Sequence, residues 1–509
     1  MFAPLPSWLQ SRAGTAAGRW TGERHRDGHH ETRIPGRLDR LPWARWHWLI
    51  VIGLGTVWVL DGLEVTIVGA IASRLTKPES GLGLTDSQVG LAAAIYVLGA
   101  CLGALFFGYL TDRFGRKKLF MITLVLYLLA TVATAFSRTA LVFYVCRFFT
   151  GAGIGGEYAA INSAIDELIP ARLRGRVDLI INGSFWLGTM FGATLALFLL
   201  DTNRFPADLG WRLAFGLGAV LGLGILLVRR NVPESPRWQF IHGHNEQAEE
   251  LVAGIEEEIE KETGQQLEEV TDSIKIRQRK SIGFGTIAHT AFKLYPKRTV
   301  LGLALFIGQA FLYNAVFFTQ ALVLSTFFGV ADDMVPIYII PFAFGNLLGP
   351  LLLGRLFDSV GRRPMITLCY VLSGVLLIGT GLLFNAQVLS ATTLTVCWVL
   401  VFFFASAGAS AAYLTGSEIF PMETRAMALA FFYAVGTGIG GVTGPALFGK
   451  LVETEKEVNV FYGYLIGAVL MIAAGIAEWF IGVEAAGKSL EDVARPLTAE
   501  EDEGAGASA

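Results

Sequence analysis

Four ionisable residues interrupt long apolar stretches of the sequence: Asp61, Glu64, Arg147 and Glu157. A charge within a membrane-spanning helix costs free energy unless it is paired or faces water, so each is a functional candidate. Asp61 and Glu64 share one helix face, where Arg147 could bridge one acid and leave the other to bind a proton. We therefore predict that Asp61, Glu64 and Arg147 form a proton-coupling group. A permanent structural ion pair between the two stretches is the alternative.

Polar and aromatic side chains inside other apolar stretches are candidates for binding a small solute. Amides fix the orientation of a ligand, and rings contribute contact area. The predicted binding residues are Asn182, Trp186, Gln309, Asn314 and Tyr413. A packing role is the alternative for each, because aromatic residues at helical spacing usually face lipid or a protein core.

Membrane-spanning helices must position these residues. Hydrophobic residues make up 53% of the 509 and charged residues only 16%, and apolar runs of about 20 residues, the length that crosses a bilayer, recur along the chain. The four cysteines lie inside these runs without the paired spacing of a zinc or redox site. Twelve spans are predicted, at 46–72, 87–110, 118–136, 140–165, 177–200, 212–228, 299–327, 336–356, 364–384, 390–417, 427–449 and 459–483.

The distribution of Lys and Arg predicts the topology. These residues concentrate in the segment before the first span, in alternate loops and in the middle segment, and the positive-inside rule places them in the cytoplasm. We predict a multi-pass protein of the cell membrane with both termini cytoplasmic. The predicted parts are a basic tail 1–45, a six-helix bundle 46–229, a cytoplasmic linker 230–298, a second bundle 299–483 and an acidic tail 484–509. The first span begins too late for an ordinary cleavable signal peptide.

Two polar segments receive structural predictions of their own. The linker contains a helical pattern from Asn245 to Gly264, and its acidic stretch Glu256 to Glu260 is predicted to be a solvated helix face rather than a partner site. The basic tail, with Arg24, Arg26 and Arg33, is predicted to be a disordered topological anchor.

The two halves of the chain repeat each other. Five residues of the first half recur at constant spacing in the second, and three more recur at a second constant spacing. Such a parallel repeat predicts two helical bundles around a central cavity, with transport by rocking of one half against the other. The first set is Gly99, Gly103, Gly108, Asp112 and Gly115 with Gly345, Gly349, Gly354, Asp358 and Gly361; the second is Glu167, Pro170 and Arg174 with Glu418, Pro421 and Arg425.

The repeated motifs resemble the loop motif of the major facilitator superfamily. They run from Gly108 through Asp112 to Arg116 and from Gly354 through Asp358 to Arg362. The resemblance implies a breakable charge network on the cytoplasmic side that latches one conformation; positive-inside charges without such a role are the alternative. The predicted network is Gly108, Asp112, Arg113, Arg116, Glu157, Glu167, Arg174, Asp358, Arg362, Glu418 and Arg425.

Further motifs are similar to the sugar-porter and metabolite:proton symporter branches. They are Pro233-Glu-Ser-Pro-Arg237-Trp238 after the sixth span and Glu484-Ala-Ala-Gly487-Lys488 after the twelfth. Gln309 with Asn314 resembles the sugar-porter pattern of amides that face the cavity. The stretch from Ala409 to Tyr413 departs from the proline-rich turn and tryptophan of many sugar porters. Asp61-Gly-Leu-Glu64 instead resembles the double acid of proton symporters for aromatic and other organic acids.

These observations predict an all-α major-facilitator fold and a secondary active transporter, not an enzyme. The expected activity is proton-coupled symport of a small carboxylate or a sugar or polyol. The alternatives are a proton-coupled antiporter of a metabolite or drug and a non-transporting membrane sensor. No cofactor, metal, nucleic acid or obligatory protein partner is expected. Gly482 to Ser489 matches a phosphate-loop pattern but follows the last span instead of a strand, so we reject ATP binding there.

Overall fold

Twelve membrane-spanning helices make up most of the computed structural model, which describes residues 29–201, 203–229, 234–271, 273–277, 284–331 and 334–497. Ten spans in this described part are long and apolar enough to cross a bilayer, and α4 and α6 complete the set. We label them α1 (Arg45–Leu75), α2 (Asp86–Phe114), α3 (Arg116–Ala135), α4 (Ala140–Leu168), α5a (Arg174–Gly183), α5b (Phe185–Leu199), α6 (Gly210–Arg229), α7 (Pro296–Phe328), α8 (Val335–Ser359), α9 (Arg362–Asn385), α10 (Ala391–Glu418), α11 (Arg425–Glu453) and α12 (Glu457–Ile481).

The predicted fold and the number of spans are confirmed, with one local irregularity in the fifth span. The helix continues through Ser184 with helical backbone angles, and the Ser184 hydroxyl donates to the carbonyl oxygens of Gly55 on α1 and Ile181 on its own helix. This side chain competes for backbone acceptors, and such local hydrogen bonding bends helices.

Short polar connections set the helix ends. Thr85 and Ser390 accept a backbone N–H of the first turn of α2 and α10, which satisfies one of the donors that a helix start leaves free. Gly115 and Gly361 separate α2 from α3 and α8 from α9 with φ angles of 99° and 119°. Only glycine adopts such angles readily, so each loop motif needs its glycine for the sharp turn.

The helices of each half pack closely through glycines. A Cβ at Gly99 on α2 would lie 2.1 Å from the Phe148 carbonyl oxygen on α4, and one at Gly349 on α8 would lie 1.9 Å from that of Phe403 on α10. At the crossing of α1 and α5b, a Cβ at Gly62 would lie 1.9 Å from the Phe185 carbonyl oxygen. Direct backbone contact fixes the rotation of α1 and hence the direction of its acidic residues.

Among the described residues, five helix pairs make the main contacts between the two halves: α2 with α11, α5 with α8, α5a with α10, α4 with α11, and α4 with α10. They surround a central cavity between the bundles.

Outside the spans, the segment before α1 folds onto the linker. A strand, His29–Thr32, pairs antiparallel with Ile274–Arg277, and a helix, Ile34–Asp39, packs against the linker helix Asn245–Thr263. The expectation of a disordered anchor is therefore wrong for residues 29–44. Further helices are Pro236–Ile241, Phe284–His289 and Leu490–Val493, and Thr290–Leu294 is a π-helix. Arg24, Arg26, Pro233 and residues 498–509 of the predicted acidic tail lie outside the described residues.

Gly62→Ala should destabilise the protein, because the added methyl group collides with the Phe185 carbonyl oxygen and forces α1 away from α5b. We expect a loss of about 1–3 kcal/mol in the free energy of unfolding, measured as a lower thermal midpoint in detergent. Gly69→Ala on the same helix is the control, since its methyl group would meet no described heavy atom within 4 Å. Equal midpoints for the two variants would contradict the close packing.

Candidate functional site

A buried ion pair connects α1 to α4. The Arg147 Nη1 atom lies 2.6 Å from Glu64 Oε1, and both side chains are only 3% exposed. The Arg147 guanidinium also lies over the Tyr96 ring of α2, 4.4 Å from its centroid. Asp61, one helical turn before Glu64, is buried as well. The structure thus brings Glu64 and Arg147 together as the predicted bridge requires, with Asp61 on the same helix.

Next to this pair lies a cavity of about 200 Å³ between the two halves. Residues of α1, α2, α4 and α5 line one side, and residues of α7, α10 and α11 line the other. All five predicted binding residues lie in its wall: Asn182, Trp186, Gln309, Asn314 and Tyr413. Tyr96 lines the cavity too, and its ring contacts the Arg147 guanidinium, which is not among the residues of the wall.

Aromatic rings dominate the wall. Trp58 and Tyr158 stack with centroids 4.6 Å apart and planes inclined by 3°, and Tyr413 meets both edge to face. Across the cavity, Trp186 contacts Tyr313 and two phenylalanines. Trp58, Tyr158, Tyr313 and Tyr433 were not predicted as wall residues. Their type was visible in the sequence, but the rotation of each helix, which decides whether a ring faces the cavity, was not.

Some polar side chains of the cavity wall already form hydrogen bonds within the protein. The Asn182 amide donates to Asn162 Oδ1 and the Asp178 carbonyl, and the Asn314 amide donates to the Ala310 carbonyl. In the part of the chain that the structure describes, the Gln309 side chain makes no hydrogen bond, and the buried Trp58 Nε1 has no acceptor. Gln309 and Trp58 therefore offer the cavity polar groups that a ligand can satisfy.

The two loop motifs form matching charge clusters at one end of the bundles, which we call the motif face. In the first half, Arg116 lies 2.8 Å from Glu167 and 3.5 Å from Asp112. In the second half, Arg362 lies 2.8 Å from Asp358 and 3.1 Å from Glu418. The repeat in the sequence is thus a repeat of buried ion networks.

Contacts between the halves close this face. Asp358 accepts the backbone N–H groups of Gly175 and Arg176 at the start of α5a, at 2.9 and 2.8 Å. Asp112 accepts that of Met427 on α11 at 3.0 Å. Charge-assisted bonds to a helix start are among the stronger hydrogen bonds. Two ion pairs add to them, Arg174 with Glu418 at 3.6 Å and Arg425 with Glu167 at 3.7 Å.

Residues 48–497 match the profile of a family described as "Sugar (and other) transporter". The chain belongs to this family. It is therefore a multi-pass membrane transporter and not an enzyme.

Curated relatives of this transporter differ in their named solutes. A niacin transporter of Acinetobacter baylyi is 26% identical over 90% of this chain and 99% of its own length. A putative metabolite transport protein of Escherichia coli is 29% identical over 90% and 96%, and a myo-inositol transporter of Schizosaccharomyces pombe is 26% identical over 89% and 82%. A structure of the major-facilitator proton:xylose symporter XylE superposes with a TM-score of 0.72, at 22% identity over 88% of this chain and 98% of that chain.

Two residues of the predicted network lie apart from it. Arg113 is exposed, with its guanidinium 5.4 Å from the Phe114 ring centroid. Glu157 accepts a hydrogen bond from Thr123 on α3 and lies roughly 15 Å along α4 from Glu167, at 1.5 Å per residue. The geometry thus places Glu157 near the middle of α4, away from the charges at its end. Gly108 is buried on α2.

The quoted sequence motifs contain Glu234 and Glu484, but sequence reasoning did not assign these two acids to the charge network. Glu234 accepts the backbone N–H groups of Arg116 and Lys117 at the start of α3, and Glu484 accepts those of Arg362 and Arg363 at the start of α9. Burial raises the pKa of the Glu234 carboxyl, against the hydrogen bonds from Ser235 and Arg116. Each acid follows the last span of its half, and that matching position was a signal in the sequence.

Removal of one partner of the Glu64–Arg147 pair should lower the free energy of unfolding more than removal of both partners. Arg147→Met leaves the Glu64 charge in a buried site, so we expect a loss of about 3–5 kcal/mol in the free energy of unfolding. Glu64→Gln combined with Arg147→Met should recover part of that loss. Thermal or denaturant unfolding of both single variants and the double variant in detergent measures the coupling. Additive losses would contradict a direct pair.

Proposed function

We propose that this transporter is a proton-coupled symporter that imports a small planar organic acid by alternating access. The observation that carries the proposal is the buried Glu64–Arg147 pair, with Asp61 one turn away, behind the wall of a central aromatic cavity. A titratable acid paired with the cation nearest the solute can link proton binding to solute binding.

Coupling follows from the exchange of partners at Arg147. Protonation of Glu64 removes the charge of the acid that is paired with Arg147, which is costly in a site of low dielectric constant. The guanidinium lies directly behind the Tyr96 ring, so a carboxylate in the cavity is a replacement partner after a small movement of that ring. Asp61 is the second acid of the group and a candidate for passing the proton to Glu64. Solute and proton thus enter together.

The aromatic wall favours a flat solute over a sugar. Rings stack well on planar ligands, whereas a sugar site must satisfy many hydroxyl groups, and two of the three wall amides, Asn182 and Asn314, already bond to the protein. A relative named as a niacin transporter agrees with this preference. A sugar or polyol is the second candidate, because Gln309 and Asn314 line the cavity and relatives are named for xylose and myo-inositol.

For orientation, we propose that the motif face is cytoplasmic and that the membrane is the cell membrane. The basic loop residues Arg116, Arg362 and Arg363 lie on this face, as the positive-inside rule requires of cytoplasmic loops. The segment before α1, the linker and the segment after α12 meet there. The division into bundles 46–229 and 299–483, joined by a linker 230–298, is part of the same proposal.

Uptake into proteoliposomes tests proton coupling. Nicotinate, benzoate, xylose and myo-inositol are offered with and without an inward proton gradient. Wild type should accumulate an aromatic acid only with the gradient, and Asp61→Asn and Glu64→Gln should lose gradient-driven uptake. Glu79→Gln, an exposed acid between α1 and α2, is the control and should behave as wild type. Equal uptake with and without the gradient would support uniport, and efflux driven by a proton gradient would support the antiporter alternative.

Substitutions in the wall distinguish the solute classes. For an aromatic acid, Trp58→Leu should raise KM by about tenfold through loss of stacking and of the Nε1 donor, while Gln309→Leu should have a smaller effect. For a sugar or polyol, Gln309→Leu should have the larger effect, because buried hydroxyl groups would lose a partner. The readout is the KM of uptake for each variant with its best solute.

A further inference from the structure

The segment that precedes α1 is held to the first half and the linker by charges. We call residues 29–44 the N-terminal strap. Arg37 contacts Glu249 and Glu256 of the linker helix, and Arg40 lies 2.5 Å from Glu256. Burial alone would raise the pKa of the Glu256 carboxyl, but the hydrogen bonds from the two arginines hold it below its ordinary value. The expected solvated stretch thus contains a paired acid at Glu256.

The strap brings one further carboxylate, Asp39, to the motif face. Its Oδ1 accepts the backbone N–H of Ala171, in the loop between α4 and α5a, at 3.3 Å. The same oxygen lies 3.5 Å from Arg174 Nη2 and 3.4 Å from Arg237 Nη2. Both arginine side chains are at most 1% exposed, so their charges depend on these partners.

Arg174 and Arg237 each also contact an acid of the other half. Arg174 lies 3.6 Å from Glu418 on α10, and Arg237 lies 3.5 Å from Glu491 in the short helix after α12. Arg237 itself belongs to the first half, because the neighbouring Trp238 donates to the Asp112 carbonyl oxygen on α2.

Glu491 moves with the second half. The segment that carries it is anchored there, since Glu484 binds the start of α9 and the Leu497 N–H donates to Glu423 in the loop between α10 and α11. Opening of the motif face therefore separates Arg237 from Glu491 and Arg174 from Glu418. Asp39 stays with both arginines, because the strap is bound to the same half. Asp166 of the first half interacts with both arginines, and Glu167 interacts with Arg237. Asp39 is nonetheless the first-half acid that acts most strongly on Arg237, because it lies 3.4 Å away.

We infer that Asp39 is a retained counter-ion that lowers the free energy of opening the motif face. The inference rests on the proposed alternation between the two halves. In the closed state each arginine lies within 4 Å of two acids, one from each half. In the open state Asp39 would be the ion-pair partner that Arg237 keeps among the described residues, and removal of the partner of a buried cation is costly. Asp39 thus favours opening, whereas Glu491 favours closure.

Two neutralising substitutions should shift the conformational equilibrium in opposite directions. Asp39→Asn should reduce the open fraction by at least about tenfold, and Glu491→Gln should increase it. Asp39→Glu, which keeps the charge, should restore the wild-type distribution. Glu31→Gln is the matched control, since this strap carboxylate contacts Ser273 and neither arginine.

Distances across the face can be measured by electron paramagnetic resonance in liposomes. Spin labels are placed at Lys118 and Ser359, which are exposed on opposite halves, in a full-length variant whose native cysteines are serine. A larger short-distance population in Asp39→Asn and a larger long-distance population in Glu491→Gln support the inference. A shift of Asp39→Asn towards long distances, or no shift, would overturn it. This distance measurement needs no solute. A negative result for Asp39→Asn would therefore not bear on proton-coupled uptake, which the proteoliposome assay tests separately.

Discussion

The cost of an unpaired charge away from water governs this transporter. Arg147 is paired with Glu64 beside the cavity, and Arg116, Arg362, Arg174 and Arg425 are paired at the motif face. The loss of one partner of a buried ion pair costs several kcal/mol of free energy. A conformational change that breaks one of these pairs must therefore give the remaining charged side chain another partner. This constraint applies to both regions. In the proposed mechanism a proton replaces Arg147 at Glu64 and the solute replaces Glu64 at Arg147, and at the motif face the two halves supply partners to each other.

Backbone contact gives these pairs their geometry. Glycines at the crossings of α1 with α5b, α2 with α4 and α8 with α10 bring backbones together, so the helices within each half are closely packed. The loop motifs also use backbone groups, at the ends of the halves. There, Asp112 and Asp358 each accept a backbone N–H from a helix start of the opposite half. Rigid halves and exchangeable charges at their boundary are what rocking requires.

The helical fold and the number of spans could be predicted from the sequence, because hydrophobic length can be read from each segment and the internal repeat from a comparison of the two halves. The five predicted binding residues all lie in the cavity wall, although their role stays a prediction. What could not be predicted depends on tertiary structure. The rotation of α1 and α4 turns Trp58 and Tyr158 into the cavity. The strap forms because Arg37 and Arg40 find Glu256 more than 200 residues away, and Arg113 points outward where the motif suggested a network role.

Proton binding by the purified transporter tests the central claim most directly. In weakly buffered detergent solution, addition of the solute identified by uptake should raise the pH in proportion to the amount bound, because solute binding at Arg147 leaves Glu64 to take up a proton. Glu64→Gln should bind solute without this rise. An equal pH rise in wild type and Glu64→Gln, or none in wild type despite solute binding, would contradict the coupling of proton and solute through the Glu64–Arg147 pair.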